Sequence, residues 1–413
     1  MFESHVKMRH LPFFEDLATS EPGERKWQSA TAGLVVLRLV DAWLENGTRR
    51  LADDEWTMRA VRQTIDEITS SANLGQILHG IIDATQESSH RDLRLLAPRL
   101  MAYGQFLEYD AKWSLAADVY DSILAHTHPV HEADIATQAH LRLGFCLRQL
   151  GNLTDSTQAY RTAGEIAQNV GDLVGVLRAR IGEAKAAVSR GNMPQAGAIL
   201  DDTIKRAGKE HLTEVRSMAL HDRAAVAHLS GEYELAVRLA YEALETTHAP
   251  RERDRILGDI AGMFHTLGVR TAARDAYLIL AATAQEQYGR WAATLNLMEL
   301  AIDDGEQLLF EQYHRSFDPA EMPVQLRVSF WHVAGLGFGR FGQNEKAQRF
   351  LERAIAVAEE NELNQFAFEA RAALTALGQP RRLEEPQRAH AFLNEAVREI
   401  VRHIGAQREK LGV

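Results

Sequence analysis

The sequence predicts an all-α fold: a solenoid of stacked antiparallel helix pairs behind an N-terminal helical segment. Three observations predict it. Apolar positions recur at three- and four-residue spacing along nearly the whole chain, separated by good helix formers. Small residues return at a period of about 40, later about 37, and glycines fall between the paired helices at the same period. Alternating strand patterns with hairpin signals are scarce.

The elements follow in order. Residues 27–46, 54–69 and 73–87 predict three helices, with Trp27, Trp43 and Trp56 as packing bulk, and Glu45-Asn46-Gly47 reads as a helix C-cap. Beyond about residue 91, a small residue marks each first helix at Gly104, Gly144, Ala184, Ala224, Ala261 and Gly335. Its counterpart in the second helix is Ala116, Ser156, Ala196, Ala236, Ala273 and Ala347. Between them stand Gly151, Gly191, Gly231, Gly268, Gly305 and Gly342, suited to tight turns. A larger residue often follows, at Tyr120, Tyr160, Leu200, Tyr277 and Leu351. The sixth unit departs from the pattern, with Met298 and Phe310 at its small positions. SFDPAEMP (316–323) interrupts it with Pro319 and Pro323. GQPRRLEEP (378–386) makes a second break before a final helix at about 387–407. There Arg398, Arg402 and Arg408 alternate with Glu395, Glu399 and Glu409, as on a solvent-facing cap.

These residues resemble the tetratricopeptide repeat. LGFCLRQLGNLTDSTQAYRTA (143–163), GEYELAVRLAYEAL (231–244) and GLGFGRFGQNEKAQRFLERA (335–354) carry the resemblance most clearly. It divides the chain into an N-terminal segment (1–90), seven repeats (91–361), and a degenerate pair with a C-terminal capping helix (362–413). The resemblance implies a right-handed superhelix whose first helices line a concave groove. The layout is also similar to that of the Rap-type regulators, which bind response regulators and are switched by signalling peptides.

The chemistry of the chain points away from catalysis. One cysteine, Cys146, excludes an internal disulfide framework and a cysteine-only zinc site, and its place in a packed helix predicts an inert thiol. GFGRFG (337–342) matches G-x-G-x-x-G but lies in phase with a repeat helix, not after a strand, so it predicts no nucleotide site. Gly339 is expected to face the groove. HTHPVH (126–131) with Asp134 lacks a fourth ligand and reads as a solvated loop, not a metal site. No nucleophile or paired-carboxylate pattern emerges, so no enzyme and no cofactor are expected. With 46 basic against 57 acidic residues, the charge of −11 gives no nucleic-acid footprint. No apolar run spans a membrane, and the start MFESHVKMRH lacks an apolar leader region, so a cytoplasmic protein is expected.

Placing the repeat family's inward positions on this phase predicts a groove lined by Gln105, Arg142, Phe145, Arg148, Arg178, Lys185, His221, His228, Arg255, His265, His332 and Arg340. The set is basic in an acidic molecule, which favours a protein or peptide partner with an acidic segment. Phe145 and Tyr109 are candidates for an apolar side chain of that partner. The alternative is that several of these charges pair with Asp222, Asp259 or Glu299 on adjacent helices. The places of the family's chaperone carboxylate clamp read Leu141 and Phe145, then Arg178 and Gly182, so a chaperone C-terminus is not the expected ligand. The terminal segments are the candidates for a homodimer contact.

Overall fold

The computed structural model describes residues 9–45, 55–69, 72–87, 92–361, 363–377 and 393–413. Asn46, Gly47, the 378–386 break and the divisions near residues 91 and 362 lie outside them. Every regular element among the described residues is an α-helix. They form two compact units, Met1–Arg190 and Gly191–Val413.

The first unit holds α1 (Leu11–Ala18), α2 (Arg25–Glu45), α3 (Glu55–Ile68), α4 (Ala72–Glu87) and the antiparallel series α5 (Leu93–Tyr109), α6 (Trp113–His126), α7 (Ala133–Gln149), α8 (Leu153–Asn169) and α9 (Leu173–Ser189). Successive helices from α4 to α9 pack on one another. The small positions explain the spacing: a Cβ on Gly104 would lie 2.6 Å from the Tyr120 ring, and one on Gly144 would lie 2.9 Å from Tyr160. At Gly104 and Gly144 the first helix thus gives up a side chain so that the large residue of its second helix can sit against backbone. Ser156 completes one such contact by donating from its hydroxyl to the Gly144 carbonyl at 2.7 Å. The turn glycines take the left-handed conformation, as at Gly151 (φ 78°) and Gly342 (φ 77°).

The N-terminal helices are built around α2, which packs on α1, α3, α4 and α6. The helices expected at 27–46, 54–69 and 73–87 correspond to α2, α3 and α4, whereas α1 was not read from the sequence. Trp43 is buried, but Trp56 is 79% exposed and supplies no packing bulk. The start of α1 is held by charge. His10, 3% exposed, lies with Nδ1 2.7 Å from Asp118 and Nε2 3.2 Å from Asp41. Arg9 (3.1 Å) and His126 (3.3 Å) also reach Asp41. Burial alone would lower the His10 imidazole, but its hydrogen bonds to Asp118 and Asp41 outweigh that and raise it to about 9. Asp41 is held well below the usual carboxylate range by His10 and His126, against the upward push of burial.

The second unit holds α10 (Met193–Lys209), α11 (Thr213–Leu229), α12 (Tyr233–Thr246), α13 (Pro250–Thr266), α14 (Arg270–Thr283), α15 (Gln287–Asp303), α16 (Gln307–Arg315), α17 (Val324–Arg340), α18 (Asn344–Glu360), α19 (Asn364–Thr375) and α20 (Glu395–Leu411). The irregular sixth repeat has a local compensation. Met298 and Phe310 are fully buried, and the Phe310 ring occupies the space a Cβ on Gly337 would need. A Cβ on Gly339 would lie 2.9 Å from Leu377 and 3.6 Å from Ala347, so this position points toward α18 and the residues after α19, which corrects the expectation that it faces the groove.

The final helix begins eight residues later than the sequence pattern suggested, and it returns to α12 and α14 instead of extending the stack. Val397, Ile400 and Ile404 are buried in the same apolar cluster as Val237, Ile260 and Ala276. Asn394 caps α20 and also donates from its amide side chain to Glu234 at 2.6 Å, while Arg408 lies 3.4 Å from Asp275. Only the charged side of this helix behaves as the solvent-facing cap expected of it.

Candidate binding surface on the first helices

In the first unit, α5, α7 and α9 are the first helices of their repeats, and they carry Gln105, Arg142, Phe145, Arg148, Arg178 and Lys185. Arg142 is engaged, its Nη2 lying 3.1 Å from Glu108. Glu108 also accepts from the Tyr120 hydroxyl at 2.7 Å and from the Cys146 thiol at 3.8 Å. Burial raises Glu108, and Arg142 offsets part of that shift. The Cys146 thiol is pushed up by burial and by Glu108, so it is protonated and not a nucleophile at neutral pH.

Phe145 is half-buried and presents one side to Trp113, edge to face with centroids 5.5 Å apart. The Arg148 guanidinium lies over the Phe145 ring, 5.4 Å from its centroid. This stacking orients the guanidinium without neutralising it. Arg178 is exposed, Lys185 is half-buried, and Gln105 and Tyr109 are exposed on α5. Neither Arg148 nor Arg178 forms an ion pair with a described residue.

The second unit treats its charges differently. His221 on α11 is buried, with Nε2 2.6 Å from Asp259 and Nδ1 3.6 Å from Glu252 on α13. Arg255 reaches the same Glu252 at 2.5 Å. Burial would lower the His221 imidazole, but Asp259 and Glu252 raise it, and Glu252 is drawn down to about 2 by His221 and Arg255 despite its own burial. His265 on α13 lies 3.0 Å from Asp303 on α15. His228 packs edge-on against Tyr233 at 5.2 Å, His332 is half-buried, and Arg340 is exposed at the end of α17. His221, Arg255 and His265 are therefore matched within the unit. Glu252 and Asp303 were not read from the sequence, although Asp303 follows His265 at the repeat spacing.

The histidine loop is also resolved. His126 turns in to Asp41, while His128 and His131 stay exposed with ring centroids 4.5 Å apart. Among the described residues there is no group of three or more metal-ligating side chains and no helix long and apolar enough to cross a membrane.

No family model matches the chain, and no curated protein matches its sequence. Among solved structures, it is similar to a Rap protein complexed with competence and sporulation factor, at 12% identity and a TM-score of 0.50, covering 81% of this chain and 98% of that one. It is equally similar to the Rap conjugation gene regulator of plasmid pLS20 in complex with the Phr* peptide, at 12% identity and 0.50, covering 82% and 97%. The tetratricopeptide-like repeats of a Podosopora anserina putative kinesin light chain match at 16% identity and 0.30, covering 56% and 98%. The likeness to the two Rap structures is one of fold, the all-α repeat solenoid that the sequence pattern predicts.

Proposed function

We propose that this chain is a non-enzymatic protein- or peptide-binding adaptor, and that the first-helix face of α5, α7 and α9 takes a segment bearing carboxylates. The observation that carries this reading is the contrast between the two units. The Arg148 guanidinium stands over the Phe145 ring and Arg178 is exposed, neither with a carboxylate partner among the described residues, whereas His221, Arg255 and His265 of the second unit are paired internally. A guanidinium offers a planar fork to a carboxylate, and rigid helices lower the ordering cost of binding.

A second reading makes the adaptor a peptide-sensing regulator of a signalling or transcription protein. It is favoured by layout, since the match covers 98% and 97% of the two Rap structures and 81% and 82% of this chain.

Affinity capture with the wild type and with an Arg142→Glu, Arg148→Glu, Arg178→Glu, Lys185→Glu variant tests the first reading. A partner lost only with the folded variant supports it, and the same partner retained by both sinks it. Small-angle scattering with the captured peptide separates the readings, because a sensor changes its radius of gyration on binding and a rigid adaptor does not.

A further inference from the structure

The first unit contains a cavity of about 420 Å³ on the opposite side of its helix pairs, walled by the second helices α6 and α8, floored by α7 and bordered by Pro12 of α1. Its place in the repeat is informative. The small positions Ala116, Gly144 and Ser156 correspond in register to Ala236, Ala261 and Ala273. On that register, the lining residues Ser114, Asp121 and Gln158 correspond to Glu234, Tyr241 and Asp275. Those three residues are the ones that hold α20 in the second unit: Glu234 accepts from Asn394, Tyr241 meets His403 at 3.2 Å, and Asp275 pairs with Arg408. The floor corresponds as well, with Leu143 and Leu147 in the places of Ile260 and Phe264, which share the apolar cluster that buries α20. One groove of this repeat is filled by α20, and its counterpart keeps a cavity that α1 borders only through Pro12.

We infer that the α6–α8 cavity is a docking groove for an amphipathic helix of a partner protein, with an apolar stripe at i, i+3 and i+7 and basic flanking residues. The stripe follows Val397, Ile400 and Ile404 of α20. The basic flanks follow from charge: Asp121 and the exposed Asp155 line the cavity, Asp118 is already held by His10, and no lysine or arginine is among the described lining residues. His140 lies in the floor, its buried Nδ1 without a hydrogen-bond partner among the described residues, and burial keeps the ring neutral. The floor is thus apolar and uncharged while the rim is acidic, the pattern of helix-in-groove recognition. The inference is independent of the first-helix surface, because it uses the other face of the same helix pairs.

The probe is a fluorescein-labelled synthetic peptide of the 393–411 sequence, titrated into the full chain and read by anisotropy. Saturable binding is expected, weakened about tenfold by Asp155→Lys at the exposed rim and abolished by Ala117→Trp, which fills the cavity. Tyr241→Ala, in the groove already occupied, leaves that binding unchanged. Three results would overturn the inference. They are no saturable binding, binding insensitive to Asp155→Lys, and binding lost only with Tyr241→Ala, which would mean exchange with the resident α20. A concentration-dependent dimer of the unliganded chain that Asp155→Lys dissociates would assign the groove to a second copy instead and overturn the partner assignment.

Discussion

His221 on α11 and Asp259 on α13 meet at 2.6 Å, and His265 on α13 meets Asp303 on α15 at 3.0 Å; each pair is separated by 38 residues. That separation is close to one repeat, so the same imidazole–carboxylate contact joins two consecutive pairs of first helices. It replaces part of the basic lining expected from the sequence by an internally matched ladder.

The ladder has a defined pH response. Because the His221 imidazole is raised in the folded protein, its contribution is full below the ordinary imidazole value and is lost as pH rises through the raised one. Glu252, drawn down to about 2, contributes above the ordinary carboxylate range and loses that contribution as pH falls toward about 2. His221→Ala is expected to destabilise the second unit by about 1–2 kcal/mol, less than a fully buried pair, since Asp259 is 58% exposed. Urea unfolding at pH 6 and pH 9 checks this, and a loss equal at both values would remove the charge-based account.

The His10 network makes a similar prediction for the first unit. With His10 raised to about 9, its stabilisation is complete below about 6.5 and disappears as pH rises through 9. Asp41, held low, loses its own contribution only as acid drives it through a value well below the usual carboxylate range. His10→Ala leaves buried Asp41 and half-buried Asp118 without their shared partner, at a cost of about 3 kcal/mol. Hydrogen exchange of α1 amides between pH 6 and pH 9.5, corrected for intrinsic rates, reports the release of that helix.

Two neighbouring glycines are expected to behave differently. Gly337→Ala drives a methyl into the buried Phe310 ring and costs about 1–3 kcal/mol of overpacking. Gly339→Ala meets only the end of the Leu377 side chain, and a gain of about 1 kcal/mol in helix propensity offsets the adjustment. Thermal melts of the two variants side by side distinguish them, and equal losses would contradict the packing described.

The final helix is structural in the second unit. Ile404 is 1% exposed, and Ile404→Ala is expected to cost about 2–4 kcal/mol. Removing residues 393–413 uncovers Val237 and Ala276 and should increase binding of a hydrophobic dye to the second unit. No change in dye binding would show that α20 is not held there in solution.

Much of this fold was legible because its determinants are local and periodic. The distance between paired helices demands a small residue at Gly104 or Gly144, and the turn demands a left-handed residue at Gly151, so each repeat writes the same constraint into the chain. Residue charge was legible too, but not its use: Arg148 and His221 carry similar signals in the sequence, and only packing left the first unmatched and buried the second against Asp259. The docking of α20 could not be read at all. Asn394 finds Glu234 across 160 residues, and the apolar stripe of Val397, Ile400 and Ile404 fits any groove of suitable shape. Which groove it fills depends on the side chains that α12, α13 and α14 bring together, a property of their three-dimensional packing and not of any one segment.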